Sequence, residues 1–271
     1  MNPKRNIPMA IFFLLILTVV TISCQGVAGF NPFATETPTP TLTFTPSPTV
    51  TPSSTPTVTP TQTSSPTPLP SGATSEEQPD GSTLFTDYDN QYQFAIPEAW
   101  FVVPLSSGDI HDIMDKLAEE NPQLKNAAAA FEKLDPNVIR VIAINENTKY
   151  LYNGFSSNLT VTAVEDKLMS SMPLDFVTGA VEESLKAGGA TIIENQTFAA
   201  NNSNDVEIGT LEFQQTAPTV TGASVPVQSK ILMFKSGNKL IMIQLSAPKQ
   251  FIKELLPVLD QIKDTIKVIE L

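Results

Sequence analysis

The sequence predicts an α+β domain in which helices cover an antiparallel sheet. Several short segments, such as Tyr92–Ile96, alternate apolar and polar residues as half-buried strands do. Other segments repeat apolar residues every three or four positions, the period of an amphipathic helix. Turn sequences such as the one around Gly237 predict hairpins between consecutive strands, and the helical segments come in blocks. Such an order favours an antiparallel sheet over alternating parallel units.

The predicted strands are segments of β-branched, aromatic or alternating residues bounded by turn residues. A turn at Asp89-Asn90 joins the first two strands, and Gly237 lies in the tight turn of the last long hairpin. The final segment is predicted to be an edge strand. In chain order the predicted strands are Thr83–Tyr88, Tyr92–Ile96, Trp100–Val103, Val138–Asn145, Asn158–Glu165, Thr191–Phe198, Glu207–Gln215, Val227–Lys235, Lys239–Ser246 and Thr265–Ile269.

Four helices are predicted from apolar stripes and from the residues that stop them. Gly188-Gly189 supplies the C-terminal cap of the third helix. Pro257 is expected to kink the fourth helix or to divide it. The helices are Gly108–Glu120, Gln123–Leu134, Pro173–Ala187 with the buried stripe Leu174, Val177, Val181 and Leu185, and a last one opened by Pro248 that carries Phe251, Leu255, Leu259 and Ile262.

The chain divides into three parts by composition. Residues 1–23 have a positive start at Lys4 and Arg5, then an apolar run and small residues, the order of a secretory signal peptide. Residues 24–82 are rich in Pro and Thr and predict a disordered stalk. Residues 83–271 are predicted to form the folded domain.

Cys24 is the only cysteine, and it directly follows the apolar leader. This arrangement resembles the lipobox of bacterial lipoproteins, which implies that the Cys24 thiol carries a lipid after cleavage. Ser23 and Ile22 fit that pattern, whereas Thr21 stands where an aliphatic residue is usual. The alternative is an uncleaved transmembrane anchor, because an apolar run of about 17 residues is just long enough to cross a bilayer. Either form places the domain on the extracytoplasmic face of the membrane.

The Thr-Pro repeats of the stalk exclude helix and sheet, because proline fixes φ and lacks an N–H donor. Such segments are extended, at about 3.1 Å per residue. The stalk is predicted to be a passive spacer that holds the domain away from the lipid. O-glycosylation is the alternative for a Ser/Thr-rich and Pro-rich segment.

The formal net charge of −12 argues against nucleic acid as a partner, since an acidic surface repels phosphate backbones. One cysteine and one histidine, His111, are too few for a zinc site built from these residues. No G-x-S-x-G motif or phosphate-binding loop occurs. We therefore expect neither enzymatic activity nor a cofactor.

Three weak candidates for chemistry remain. His111 and Asp115 are i,i+4 neighbours on a predicted helix, more simply read as part of its exposed polar face. Asp87, Asp89 and Asn90 are oxygen-bearing residues that could hold calcium, but their spacing does not fit an EF-hand and favours a turn. Trp100 could line a ligand pocket beside the first hairpin, although core packing is the simpler interpretation.

Two segments resemble the PsbP-like superfamily. They are YQFAIPEAW (Tyr92–Trp100) and KILMFKSGNKLIMIQLSAPKQF (Lys230–Phe251), the latter followed by IKDTIKVI. The superfamily includes the PsbP subunit of photosystem II, the DcrB lipoproteins, a nuclear Ran-binding family and actinobacterial surface lipoproteins. The sequences ENPQL and VIAIN look like an uncharacterised bacterial lipoprotein branch. The resemblance implies an αβα sandwich and a binding or assembly role, and it implies no shared active site.

The first functional hypothesis is a surface-displayed, membrane-anchored, non-enzymatic binding or assembly module that recognises an envelope or extracellular protein. The second is a carrier that holds an apolar small molecule or lipid in a pocket between sheet and helices.

Overall fold

The computed structural model describes residues 71–105, 135–198, 204–219 and 222–270. Residues 1–70, which include Cys24 and the predicted leader, lie outside this part of the chain, as does most of the predicted stalk. The predicted helices Gly108–Glu120 and Gln123–Leu134, with His111 and Asp115, also lie outside it.

The described residues form thirteen strands, three α-helices and one 3-10 turn at Thr148–Tyr150. The mixture of antiparallel strands and helices confirms the α+β class. The helices are α1 (Lys167–Ser171), α2 (Leu174–Ala187) and α3 (Ile252–Thr265). The strands are β1 (Ala73–Glu77), β2 (Thr83–Asp87), β3 (Tyr92–Ile96), β4 (Trp100–Pro104), β5 (Ile139–Asn145), β6 (Leu151–Tyr152), β7 (Phe155–Ser156), β8 (Asn158–Glu165), β9 (Thr191–Phe198), β10 (Ile208–Pro218), β11 (Ser224–Ser236), β12 (Lys239–Pro248) and β13 (Lys267–Val268).

The strands divide into a large sheet, a small sheet and a two-stranded ribbon. The large sheet has the order β4-β5-β8-β12-β11-β10-β9, the small sheet β1-β2-β3-β13, and the ribbon is β6-β7. All pairings are antiparallel. The sequence predicts one sheet, but β4 leaves the first hairpin and pairs with β5. Pro97 ends β3, and Ala99 turns the chain with a φ of +68°.

Both faces of the large sheet are covered. On one face α2 packs through Leu174, Val177, Val181 and Leu185, the stripe that the sequence predicts. On the opposite face the small sheet and α3 enclose an apolar core with β12 residues such as Ile241 and Ile243. The large sheet is therefore the middle layer of a sandwich.

The folded part begins earlier than the sequence boundary at residue 83. β1 pairs along its whole length with β2, from Ala73 opposite Asp87 to Glu77 opposite Thr83. The residues of β1 after Ala73 are exposed, so the strand shows no apolar alternation by which its sequence could reveal it. The boundary drawn at residue 83 is therefore too late.

Two turn and helix predictions have different outcomes. Gly237 adopts a φ of +56° between β11 and β12, which confirms the predicted tight turn. Helix α3 continues through Pro257, so the alternative of two separate segments is wrong. Pro257 has no N–H group, so the continuous helix lacks one backbone hydrogen bond. Burial of Leu255 and Leu259, on either side of the proline, offsets this loss.

No helix in the described ranges is both long enough and apolar enough to span a membrane.

Candidate binding surface

Strand β12 defines two ends of the domain. Its ten residues, Lys239–Pro248, extend over about 30 Å at the usual rise of a strand. We call the end at Lys239 the terminal pole and the end at Pro248 the hairpin pole. The functional groups of the described residues are distributed unequally between these two poles.

The first and last described strands both meet the terminal pole. Lys239 Nζ donates a hydrogen bond of 2.6 Å to Asn90 Oδ1 in the turn between β2 and β3. Ala73, the first residue of β1, pairs with Asp87 just before this turn. Val268 of β13 pairs with Tyr92 just after it. The chain therefore enters the small sheet and leaves it at the same end of the domain.

A buried ion pair joins the two sheets at the terminal pole. Asp87 ends β2 and Arg140 lies in β5, and their side chains are 0% and 4% exposed. Arg140 Nε donates to Asp87 Oδ2 at 2.6 Å, and its Nη2 donates to Asp87 Oδ1 at 3.0 Å. Two donors meeting two carboxylate oxygens is the strongest geometry for this pair of residue types.

Neighbouring groups complete the bonding of this pair. Arg140 Nη2 also donates to Asp89 Oδ2 at 3.0 Å, and Nη1 donates to the carbonyl oxygen of Pro136 at 2.7 Å. Asn90 donates to both oxygens of Asp87, from its backbone N–H and from its side-chain amide. We call Asp87, Asp89, Asn90 and Arg140 the carboxylate–arginine cluster. Because Asp87 and Arg140 carry opposite charges and are joined by two hydrogen bonds, burial of this pair is tolerated.

The cluster places Asp87, Asp89 and Asn90 at the turn between β2 and β3. The positive charge facing both carboxylates belongs to the Arg140 guanidinium. The backbone N–H of Gly72, with Arg140 as a further cause, lowers the pKa of Asp89 against the opposing effect of its partial burial. These residues build a docked turn, in agreement with the simpler sequence interpretation.

Tyr92 is fully buried beside the cluster. Burial, followed by the negative charge of Asp87, raises the pKa of the Tyr92 phenol well above its ordinary value. The buried Tyr92 hydroxyl has no hydrogen-bond partner among the described residues. Its ring stacks parallel to Phe94 and meets Phe234 edge-on. Tyr92 therefore contributes through its ring, in the small-sheet core.

The hairpin pole carries the β6-β7 ribbon, which the sequence prediction missed. Asn153 and Gly154 link the two strands with φ angles of +50° and +80°. Positive φ at both central residues is the geometry of a type I′ turn, for which Asn-Gly is the preferred sequence. The Asn-Gly pair was therefore the signal that could have revealed this hairpin.

One apolar contact holds the ribbon on the body of the domain, and one hydrogen bond closes the base of the ribbon. Phe155 is buried with Ala217, Val225 and Val227, which belong to the β10-β11 hairpin. The Ser157 hydroxyl donates to the carbonyl oxygen of Tyr150 at 3.1 Å. The ribbon is thus held at Phe155 and closed at its base, and its tip has a defined orientation.

The tip presents apolar side chains to solvent. Leu151 and Tyr152 are 39% and 38% exposed. Beside them, Tyr150 meets Phe251 edge-on with ring centroids 5.8 Å apart. Lys149 forms an ion pair with Glu254 in the first turn of α3, and Lys149 lowers the pKa of the Glu254 carboxyl. We call Leu151, Tyr152, Tyr150 and Phe251 the hairpin surface.

The hairpin surface consists of aromatic and aliphatic side chains. Aromatic and aliphatic groups on a rigid support lose little conformational entropy when they bind, which is why such groups are enriched at protein interfaces. In the described ranges, no three His, Cys, Asp or Glu residues come together as ligands for a metal ion.

The remaining sequence candidates are resolved as follows. Trp100 is buried in the core that also holds Tyr92 and Phe94, so the core interpretation is confirmed. Lipid attachment at Cys24 stays a prediction, because Cys24 lies outside the described residues.

No protein-family model matches the chain, and no curated protein sequence matches it significantly. Among solved structures, the chain is similar to the PsbP protein CyanoP of Synechocystis sp. PCC 6803, with 14% identity, a TM-score of 0.41 and coverage of 70% of this chain and 94% of that one. It is also similar to LpqN, a Mycobacterium tuberculosis protein involved in cell envelope biogenesis, with 11% identity, a TM-score of 0.35 and coverage of 73% and 91%.

A third similar structure is the Ran-binding protein Mog1p of Saccharomyces cerevisiae, with 8% identity, a TM-score of 0.40 and coverage of 70% and 96%.

Proposed function

We propose that the protein is a lipid-anchored, non-enzymatic binding module on the extracytoplasmic face of a bacterial cell membrane. The observation that carries the proposal is the placement of the hairpin surface at the pole opposite to the point where the chain enters the domain. A domain tethered through residues before Gly72 would hold its terminal pole toward the tether. The hairpin pole would then be the part free to meet a partner.

The local chemistry indicates the kind of partner. The hairpin surface is apolar, and Lys149 beside it is paired with Glu254. Exposed aromatic and aliphatic side chains are typical of surfaces that bind other proteins, which favours a protein partner. The partner is therefore proposed to be another protein of the envelope or the extracellular space.

The anchor is tested separately from the partner. Cys24→Ser in the full chain removes the thiol that would carry the lipid. We expect the variant to move from the membrane fraction to the soluble fraction after leader cleavage, while the parent chain stays with the membrane. Retention of the cleaved variant in the membrane would overturn lipid anchoring and leave the hairpin surface untouched.

The partner is tested by photocrosslinking in the native membrane. A photoreactive amino acid replaces Tyr152 in one variant and Phe176 in a control, because Phe176 is an exposed aromatic residue on α2, away from the hairpin surface. We expect one adduct of defined protein mass at position 152 and none at position 176. Equal adducts at both positions, or none at 152, would show that the hairpin surface binds no stable partner.

The carrier hypothesis predicts a different result in the same material. Native mass spectrometry of the protein extracted from its membrane would then show a small apolar molecule bound to the monomer. A protein-sized partner in that spectrum supports the binding module instead.

A further inference from the structure

The two described ends of the chain lie at opposite edges of one small sheet. In the order β1-β2-β3-β13, the first and last strands are the outermost ones. Ala73 pairs with Asp87, and Val268 pairs with Tyr92, so β1 begins and β13 ends at the terminal pole. Three strand spacings of about 4.8 Å separate them, so the line between these ends runs about 14 Å across the strands.

Tension between the tether and a bound partner would act along another line. It would enter at Gly72, directly before the start of β1 at the terminal pole, and leave at Tyr152 on the hairpin surface. That line runs from the terminal pole to the hairpin pole. β1 extends in the same sense, because its end at Glu77 lies opposite Thr83, and Thr83 pairs with Ile96 at the end of β3 that leads into β4.

The direction of tension decides how the hydrogen bonds of the sheet fail. Inter-strand bonds of an antiparallel pair are perpendicular to the strands. Pulling along a strand shears all bonds of its ladder together, whereas pulling across the strands opens them one after another. β1 is joined to β2 by a ladder of five residue pairs, which shear would stress at once.

Additional bonds secure β1 at the point where tension would arrive. The Gly72 N–H donates to Asp89 Oδ1 at 2.8 Å, and the Tyr88 N–H donates to the Gly72 carbonyl oxygen at 2.9 Å. Asp89 is in turn bonded to Arg140 of β5, inside the large sheet. The first residue of the folded part is thus connected through two side chains to the middle layer of the domain.

We infer that the fold is oriented to resist tension between its tether and its partner: the domain withstands force along the Gly72-to-Tyr152 line better than force applied between Gly72, directly before β1, and Val268, at the end of β13. This inference rests on the proposed function for its biological meaning. Its test uses the isolated chain and needs neither lipid nor partner, so its outcome is separate from theirs.

The experiment is single-molecule pulling on the full, unlipidated chain. Cys24 is the only native cysteine and provides one attachment point. The second is Tyr152→Cys for the axial direction or Leu271→Cys for the lateral direction. At equal loading rate we expect an axial rupture force about twice the lateral one, because a ladder fails together in shear and bond by bond in peeling.

Equal forces, or a stronger lateral direction, would overturn the inference. Asp89→Asn in both attachment variants provides a second test, because it weakens the link from Gly72 to Arg140 while the amide retains the shape of the side chain. The axial force should fall by a larger fraction than the lateral force. A similar fall in both would indicate a general loss of stability and would contradict a directional role.

Discussion

The two poles of the domain use opposite chemistry. At the terminal pole, charged side chains are buried and matched, as in the bidentate pair of Asp87 and Arg140. At the hairpin pole, apolar side chains are exposed, as in Leu151 and Tyr152. Buried charges are directional and fix the two sheets in one arrangement, whereas exposed apolar groups are non-directional and suit contact. One pole fixes the arrangement of the two sheets, and the other carries the surface proposed for partner binding.

The largest expected effect tests the stabilising role of the terminal pole. Arg140→Met removes the guanidinium and leaves the Asp87 carboxylate buried without its cation. We expect a loss of about 3–5 kcal/mol in the free energy of unfolding, measured by urea denaturation. The control is Lys186→Met, which removes a surface ion pair with Glu182 and should lower the free energy of unfolding much less. If the two variants lost equal stability, the carboxylate–arginine cluster would contribute no more to stability than a surface ion pair.

A smaller effect tests the rigidity of the hairpin pole. Gly154→Ala places a Cβ at a φ of +80°, which should cost about 1 kcal/mol and weaken partner crosslinking at position 152. Gly179→Ala is the matched control, because Gly179 lies inside α2 with open space around the added Cβ. That change should stabilise the domain by up to about 1 kcal/mol. Thermal unfolding checks both expectations: the melting temperature should fall in Gly154→Ala and rise in Gly179→Ala.

The smallest effect concerns the Tyr92 hydroxyl and depends on pH. The folded pKa of this group is raised, so the unfolded chain loses the proton first as pH rises. Stability is therefore unaffected below about pH 10 and decreases from there until the pH passes the raised folded pKa. Tyr92→Phe should be nearly neutral at pH 7 and should reduce this alkaline decrease, as measured by urea denaturation across that range.

An exposed tyrosine serves as the control for this pH dependence. Tyr152→Phe should leave the alkaline decrease in place, because the Tyr152 ring is partly in solvent. An unchanged alkaline decrease in Tyr92→Phe would show that other groups cause it.

Regular strands and amphipathic helices were readable from the sequence because their burial follows a local period. Asn158–Glu165 has the predicted bounds, and α2 buries the predicted stripe. Strand β1 was not readable, since its exposed residues carry no such period and its place depends on β2. The short ribbon at Asn153-Gly154 had a signal in its turn that the prediction passed over.

The candidate surface was harder to predict than the fold. Asp87 and Arg140 are far apart in sequence, and only the docking of one sheet on another brings them together. The exposure of Leu151 and Tyr152 likewise depends on where Phe155 is buried. Cys24 shows the reverse case, because its predicted role depends on a linear motif.

The start of β1 and the end of β13 lie at the same pole of the domain, about 14 Å apart across the small sheet. Domains whose ends lie close together can be inserted into a surface loop of a host protein with short connectors. Genetic additions at either end of this fold would accumulate around the terminal pole. The hairpin surface would stay unobstructed, so the module could be transferred between protein architectures with its recognition face intact.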